Sequence, residues 1–229
     1  MAQHSNIVGG STAKRVINCP GSVALVQNAP PKPSSKYADE GTLLHHVIAA
    51  VLETEKPAEE FLGTFYNGIE LTDDRLERKL LPALDALNVI DPDKVMEYAV
   101  EQVVGFGHVL PGVFGSADLV GRIGDRGVLV DWKFGDGVAV DAEENPQGLF
   151  YVAAALRTEK TAWAFKDVED IEIIIVQPPY VKRWVTTPAR VKQFEADLTL
   201  AVRAAEQPDA PLAAGDHCRW CTAKTICPV

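Results

Sequence analysis

The stretch FGSADLVGRIGDRGVLVDWKF, residues 114–134, restricts the fold more than any other part of this 229-residue chain. Two β-prone apolar runs flank a Gly-Asp-Arg-Gly turn at 124–127, a hairpin signal. Both runs carry charge: Asp118 in the first, Asp131 and Lys133 in the second. Residues two apart on a strand share a face, so Asp131 and Lys133 point the same way. An isolated buried carboxylate is costly. Two that converge repel until one takes up a proton. A divalent cation reverses that balance, because hard ions such as Mg²⁺ need only one or two carboxylates plus water and substrate phosphate. A lysine beside such a site can hold or deprotonate the attacking water and neutralise phosphate charge. On the hairpin alone, two surface acids with a salt-bridged lysine are an equally good reading.

The surroundings define an α/β (α+β) architecture. A helix is expected over 36–54, with Ser34 or Ser35 as N-cap and Leu44, Ile48 and Leu52 as its buried stripe. Another follows over 73–90, capped by Thr72. Three strands are expected near 94–106, 113–123 and 127–134. A helix at 146–158 then has Asn145 as cap and Pro146 at its first position. The isoleucine-rich run 170–177 reads as a strand buried on both faces. KRWVTT suggests an edge strand, and 188–206 a last long helix. A short helix near 20–28 precedes this core, and a Cys-bearing tail follows it. The core order is helix, three strands, helix, strand, a mixed sheet with helices packed on it.

Apolar content of 47% supports a real core, and 24% charged residues is ordinary for a globule. No apolar run reaches the roughly 18 residues of a membrane span. The first residues lack the apolar core of a signal peptide, so a cytoplasmic chain with reduced thiols is expected, without membrane partners. The formal net charge of −10 argues against a passive nucleic-acid coat but leaves room for an enzyme with a local basic groove.

His45 lies at the edge of the buried stripe of the 36–54 helix, four residues after Gly41. Neutral imidazole can ligate a metal, and His46 competes for the role. Gln147 and Tyr151, four apart, share one face near a helix start, where backbone N–H groups favour anions. Either could instead be an ordinary edge residue. Together, Gly41/His45, Gly115/Asp118, Asp131/Lys133 and Gln147/Tyr151 resemble the ordered motifs of the PD-(D/E)XK nuclease superfamily, in its RecB-like exonuclease branch. The resemblance covers about 36–180, and a single domain over 1–229 is expected with that restriction-endonuclease-like core. It implies Mg²⁺ or Mn²⁺ held by His45, Asp118, Asp131 and the carbonyl of Trp132. Lys133 would activate water, and Gln147 and Tyr151 would contact the DNA backbone. Glu40 and Glu101 are spare acids that could serve a second metal.

Four cysteines complete the pattern: Cys19, then Cys218, Cys221 and Cys227 in the tail. Four thiolates can bind zinc or an iron–sulfur cluster. One distant cysteine with a compact trio resembles the iron–sulfur RecB-like nucleases, which implies a 4Fe-4S cluster joining Cys19 to the tail at 212–229; structural Zn²⁺ is the alternative. NCPGS and HCRWC also resemble a family encoded largely by phages and prophages.

Lys14, Arg15, Lys182, Arg183, Arg190, Lys192, Arg219 and Lys224 could line a backbone-guiding groove, and Trp184 and Trp220 could stack on bases. The expected activity is metal-dependent hydrolysis of DNA phosphodiesters by metal-activated water, exonucleolytic on ends or single strands. It would serve recombination, repair or processing, with a helicase or recombinase as a possible partner. Non-catalytic DNA binding and iron–sulfur redox chemistry are the alternatives.

Overall fold

The computed structural model describes residues 5–30, 33–135 and 138–229. The chain begins with two short helices, α1 (Ala13–Asn18) and α2 (Ser22–Gln27), and then α3 (Lys36–Thr54). Ser35 caps α3, its side chain accepting from Ala38 N. A small hairpin, β1 (Phe65–Tyr66) and β2 (Ile69–Glu70), leads into α4 (Asp73–Arg75), whose cap Thr72 accepts from Arg75 N. A π turn at Leu76–Leu80 joins α4 to α5 (Leu81–Ile90). Strands β3 (Glu97–Gly105), β4 (Phe114–Ile123) and β5 (Arg126–Trp132) follow, then α6 (Pro146–Arg157), β6 (Asp170–Gln177), β7 (Tyr180–Thr186) and α7 (Pro188–Ala205). The tail holds a short turn of helix at Asp216–Trp220.

Five strands form one sheet in the order β3-β4-β5-β6-β7. All neighbours are antiparallel except β5 and β6, which run parallel. A parallel pair needs a crossover, and α6 supplies it. The expected helix, three strands, helix, strand order is the observed one, and KRWVTT lies in the edge strand β7. Ile171 and Ile173–Ile175 in β6 are fully buried, as a strand covered on both faces requires.

Apolar layers cover both faces. Ala117, Val120, Leu129, Ile171 and Ile173 pack with α6, α7 and the N-terminal segment. Leu119, Val128, Val130, Trp132 and Ile174 pack with α3 and α5. Trp132 points into this second layer, its indole N–H donating to Ala83 O at 3.2 Å, which ties β5 to α5. The sheet's hydrogen bonding lapses around Asp118. The β4–β5 ladder stops at Leu119–Val130, one residue short of both aspartates. The β3–β4 ladder omits the one pair that would set Glu101 opposite Asp118.

Candidate active site

The register that aligns Leu119 with Val130 sets Asp118 opposite Asp131. Residues directly opposite on antiparallel strands share a face, with Cβ atoms roughly 5 Å apart. The β3–β4 register places Glu101 level with Asp118 on the other side. Three carboxylates from three adjacent strands therefore stand in one row. Glu101 has a positive φ of 47°. Like charges side by side on a sheet are destabilising, so this row calls for compensating cations.

Several groups supply that compensation. Trp132 N donates to Asp118 Oδ2 at 2.8 Å, so the backbone end of β5 grips the β4 acid. His45, on α3, sets Nδ1 3.3 Å from Asp118 Oδ1. Its ring meets Phe134 edge to face at 5.2 Å between centroids. Lys133 N donates to Val176 O at 2.8 Å, which carries the β5–β6 pairing one residue past the strand. That fixed backbone places Lys133 Nζ 2.6 Å from Asp131 Oδ2 and 2.8 Å from Gln147 Oε1. Gln147 Nε2 in turn donates to Tyr151 Oη at 3.3 Å. Asp131 is 2% exposed, and the Lys133 ammonium is the partner of its Oδ2.

His45, Asp118, Asp131, Lys133, Gln147 and Tyr151 line one cavity of about 740 Å³. Its walls are α3, with Thr42, His46 and Tyr66 beside it, and the N-terminal residues Gly9–Thr12. The two histidines separate here. His45 faces the acids, whereas His46 is exposed and meets Tyr66 edge to face. Glu101 also belongs to the cavity, held by a 3.0 Å hydrogen bond from Ser116 Oγ. One ligand atom each from His45, Glu101 and Asp118 lie within 4.8 Å of one another, a spacing that one cation can span. Glu40 does not join them, since it accepts from Arg75 and Lys79 at 2.8 Å each in an adjoining pocket.

Electrostatics distinguish the acids. Burial pushes Asp131 up, and the Asp118 charge adds to this, together outweighing Lys133. Burial also pushes Asp118 up, but His45, Lys133 and the Trp132 N–H overcome it and hold the carboxyl below its usual range. Burial and the Asp118 charge raise Glu101. Burial would lower His45, yet Asp118 and Asp131 outweigh it and hold the imidazole above its ordinary value. If all three carboxylates ionise and His45 is neutral, as a metal ligand must be, Lys133 balances one, and two negative charges remain for a divalent ion.

The motif glycines have different physical settings. A Cβ on Gly115 would sit 3.0 Å from the Tyr151 ring, and one on Gly10 only 2.6 Å away. Tyr151 is thus clasped between β4 and the N-terminal turn, 8% exposed, and burial pushes its phenol well above the ordinary value. A Cβ on Gly41 would meet nothing within 4 Å. The start of α6 offers fewer anion donors than its sequence suggests, because Asn145 Oδ1 already accepts from Gln147 N and Gly148 N at 3.0 and 3.1 Å.

The other candidates divide. Lys182, Arg183 and Arg190 pair with Asp141, Glu172 and Glu144. Trp184 packs against the α7-side core. Lys14, Arg15, Arg219, Trp220 and Lys224 instead line a second cavity of about 810 Å³ with Cys218. Cys19 Sγ accepts from Ala213 N at 3.4 Å, and Cys218 Sγ reaches Ala213 O at 4.0 Å. Arg15 senses the charge of Cys221 and Cys19, which together offset part of the lowering that burial imposes on it. No three of the four sulfurs lie within 4.8 Å of one another among the described residues. A zinc tetrahedron with Zn–S bonds near 2.3 Å needs sulfurs about 3.8 Å apart.

The family described as "Protein of unknown function (DUF2800)" matches residues 4–229. Among solved structures, SSO0001 is 13% identical with a TM-score of 0.40, covering 100% of this chain and 89% of that one. An alkaline exonuclease, LHK-Exo, from Laribacter hongkongensis is 13% identical with a TM-score of 0.38, covering 88% of each chain. Its complex with dAMP gives 13% and 0.35, covering 85% of this chain and 90% of that one. At such scores none of these likenesses bears on the chemistry of the cavity, which rests on its own geometry.

Proposed function

We propose that this chain, which belongs to the DUF2800 family, is a metal-dependent deoxyribonuclease of the RecB-like kind, acting as an exonuclease on DNA ends or single strands. The observation that carries this reading is the row Glu101–Asp118–Asp131, flanked by His45 and Lys133 in one open cavity. The donor set fits Mg²⁺ or Mn²⁺: hard carboxylate oxygens, one imidazole, and two uncompensated negative charges. Asp118, Asp131 and His45 would hold the ion, joined by Glu101 and the Trp132 carbonyl. A divalent cation there supplies Lewis-acid polarisation of a phosphoryl oxygen and a lowered pKa for water.

The remaining work belongs to the chain itself. Lys133 presents its ammonium where a phosphate oxygen and the attacking water meet, and neutralises charge that grows on the phosphate. Gln147 fixes that ammonium through its Oε1, and Tyr151 fixes Gln147. The clasp of Gly10 and Gly115 on the Tyr151 ring fixes this relay in turn.

In the same reading the four cysteines hold an iron–sulfur cluster, and the chain forms one domain in which that cluster ties Cys19 to the tail. The approach of both Cys19 and Cys218 to Ala213 motivates this.

Lys133→Ala and Asp118→Ala are each expected to abolish Mg²⁺- or Mn²⁺-dependent cleavage of DNA while leaving the circular dichroism unchanged. Full activity in either folded variant sinks the nuclease reading. A visible spectrum of anaerobically purified protein tests the cluster separately: a colourless, zinc-bearing protein rules it out and leaves the nuclease reading in place.

A further inference from the structure

The active-site cavity and the cavity beside the cysteines share two lining residues, Ser11 and Thr12. These sit on the turn Gly10–Thr12 that opens α1. The two cavities therefore abut at the N-terminal turn, with Asp118 and Lys133 lining one and Trp220 the other. We infer that together they form a cleft that is a track for single-stranded DNA, with Trp220 as a stacking platform for an unpaired base and Lys14 and Lys224 as phosphate contacts. The inference rests on the nuclease reading, and it names which form of DNA that site takes.

Charge favours this occupant. The whole chain carries 22 lysines and arginines against 32 acids. The distal cavity reverses that balance, with Lys14, Arg15, Arg219 and Lys224 against Asp216. Cations elsewhere are largely committed to carboxylates, as Lys182, Arg183 and Arg190 are. Among the described residues, Lys14, Arg219 and Lys224 form no ion pair. Three cations without carboxylate partners lining one cavity of an acidic protein make a footprint for a phosphate backbone.

Shape favours a single strand. Trp220 is 74% exposed, and its indole already carries the Arg219 guanidinium 5.1 Å from the ring centroid. An exposed ring backed by a guanidinium can stack on a base only when that base has left its duplex neighbours. At the other end the reacting groups lie deep, with Asp131 2% exposed between the α3 wall and the Gly9–Thr12 wall.

The test measures binding without metal, so it does not depend on cleavage. Fluorescein-labelled oligo(dT) is titrated into the full-length protein in EDTA and followed by anisotropy, with tryptophan quenching as a second readout. Trp220→Ala is expected to weaken binding about tenfold, the scale of one lost base stack, and to remove much of the quenching. Lys14→Glu with Lys224→Glu should weaken it further and lower the slope of log affinity against log salt by about 1.4. As a control of equal charge change, Lys94→Glu with Lys166→Glu should bind oligo(dT) like the parent protein. The proposal is overturned if the Trp220 variant binds unchanged, if the control loses as much as the Lys14/Lys224 pair, or if blunt duplex binds as tightly as oligo(dT) with the same losses. Binding in EDTA combined with a failure to cleave any DNA when metal is added would overturn the nuclease reading and leave the track standing.

Discussion

Glu101 shows how much one residue can add to the candidate site. A non-glycine residue at positive φ costs roughly 1 kcal/mol, and here it coincides with a lapse in the β3–β4 ladder and a carboxylate level with Asp118. The strain and the repulsion are offset only when something positive sits between the acids. Two substitutions separate these contributions. Glu101→Gln keeps the backbone and the Ser116 hydrogen bond and removes the charge, so Mn²⁺ affinity measured by calorimetry should fall roughly 10–100-fold, as when a partner of a metal site is lost. Glu101→Gly removes charge and strain together. Its metal-free form should melt above the parent, yet bind Mn²⁺ as weakly as the glutamine variant. Parent-like affinity in both variants would falsify a ligand role for Glu101.

At the scale of elements, the far end of the sheet is clasped by one buried acid. Glu172 on β6 is 3% exposed and accepts from Arg183 Nε on β7 at 2.6 Å and from Arg126 Nη1 on β5 at 3.1 Å. It thereby links three adjacent strands. Burial pushes its carboxyl up, but the two guanidiniums outweigh burial and hold it below its ordinary 4.5. A depressed folded pKa contributes stability that is present above the unfolded value and lost as pH falls through the folded one. Both arginines are more than a third exposed, which screens the pair. Glu172→Gln should therefore cost about 1–2 kcal/mol at neutral pH. The gap between the two melting curves should close as pH drops below 4.5. A gap that persists to low pH would mean that the loss comes from packing.

The same scale shows what was legible in the residues alone. Elements with a strong local signal were readable to within a few residues: Ser35 and Thr72 cap their helices, Asn145-Pro146 opens α6, and the isoleucine run is a doubly covered strand. Elements that owe their form to tertiary packing were not. Helix α1 has six residues, too few to show a period, and buries only Ala13 and Val16. The β1–β2 hairpin has two residues per strand. In the site, Asp118, Asp131 and Lys133 were visible because charge inside an apolar run is locally anomalous. Glu101 was visible only as a spare acid on a par with Glu40, because its place beside Asp118 depends on the β3–β4 register, and the need for Gly115 stayed hidden because the Tyr151 ring arrives from a helix far along the chain.

At the scale of the whole molecule, the ends of the chain are one structural unit. Gly21, two residues after Cys19, donates its N–H to Pro211 O at 2.9 Å, and Cys19 accepts from Ala213 N. This contact holds the Asp216–Trp220 turn, and with it the cavity beside the cysteines, against the N-terminal segment that walls the candidate site. It should therefore control the cysteine site and the cleft together. Gly21 is the place to probe this without touching a cysteine. Its φ is an ordinary −61°, so conformation is not at issue. Space is: a Cβ there would lie 2.5 Å from Ala210 O and 3.0 Å from Pro211 O, backbone atoms that cannot rotate away. Gly21→Ala should push the tail off the N-terminal segment, at the cost of about 1–3 kcal/mol usual for overpacking. Three readouts should then move together: a lower melting temperature, a weaker visible absorbance from the proposed cluster, and a lower affinity for oligo(dT) in EDTA. A variant that melts lower yet keeps its full colour and oligo(dT) affinity would show that the tail contact only stabilises the fold, and that the two halves of the cleft are assembled independently.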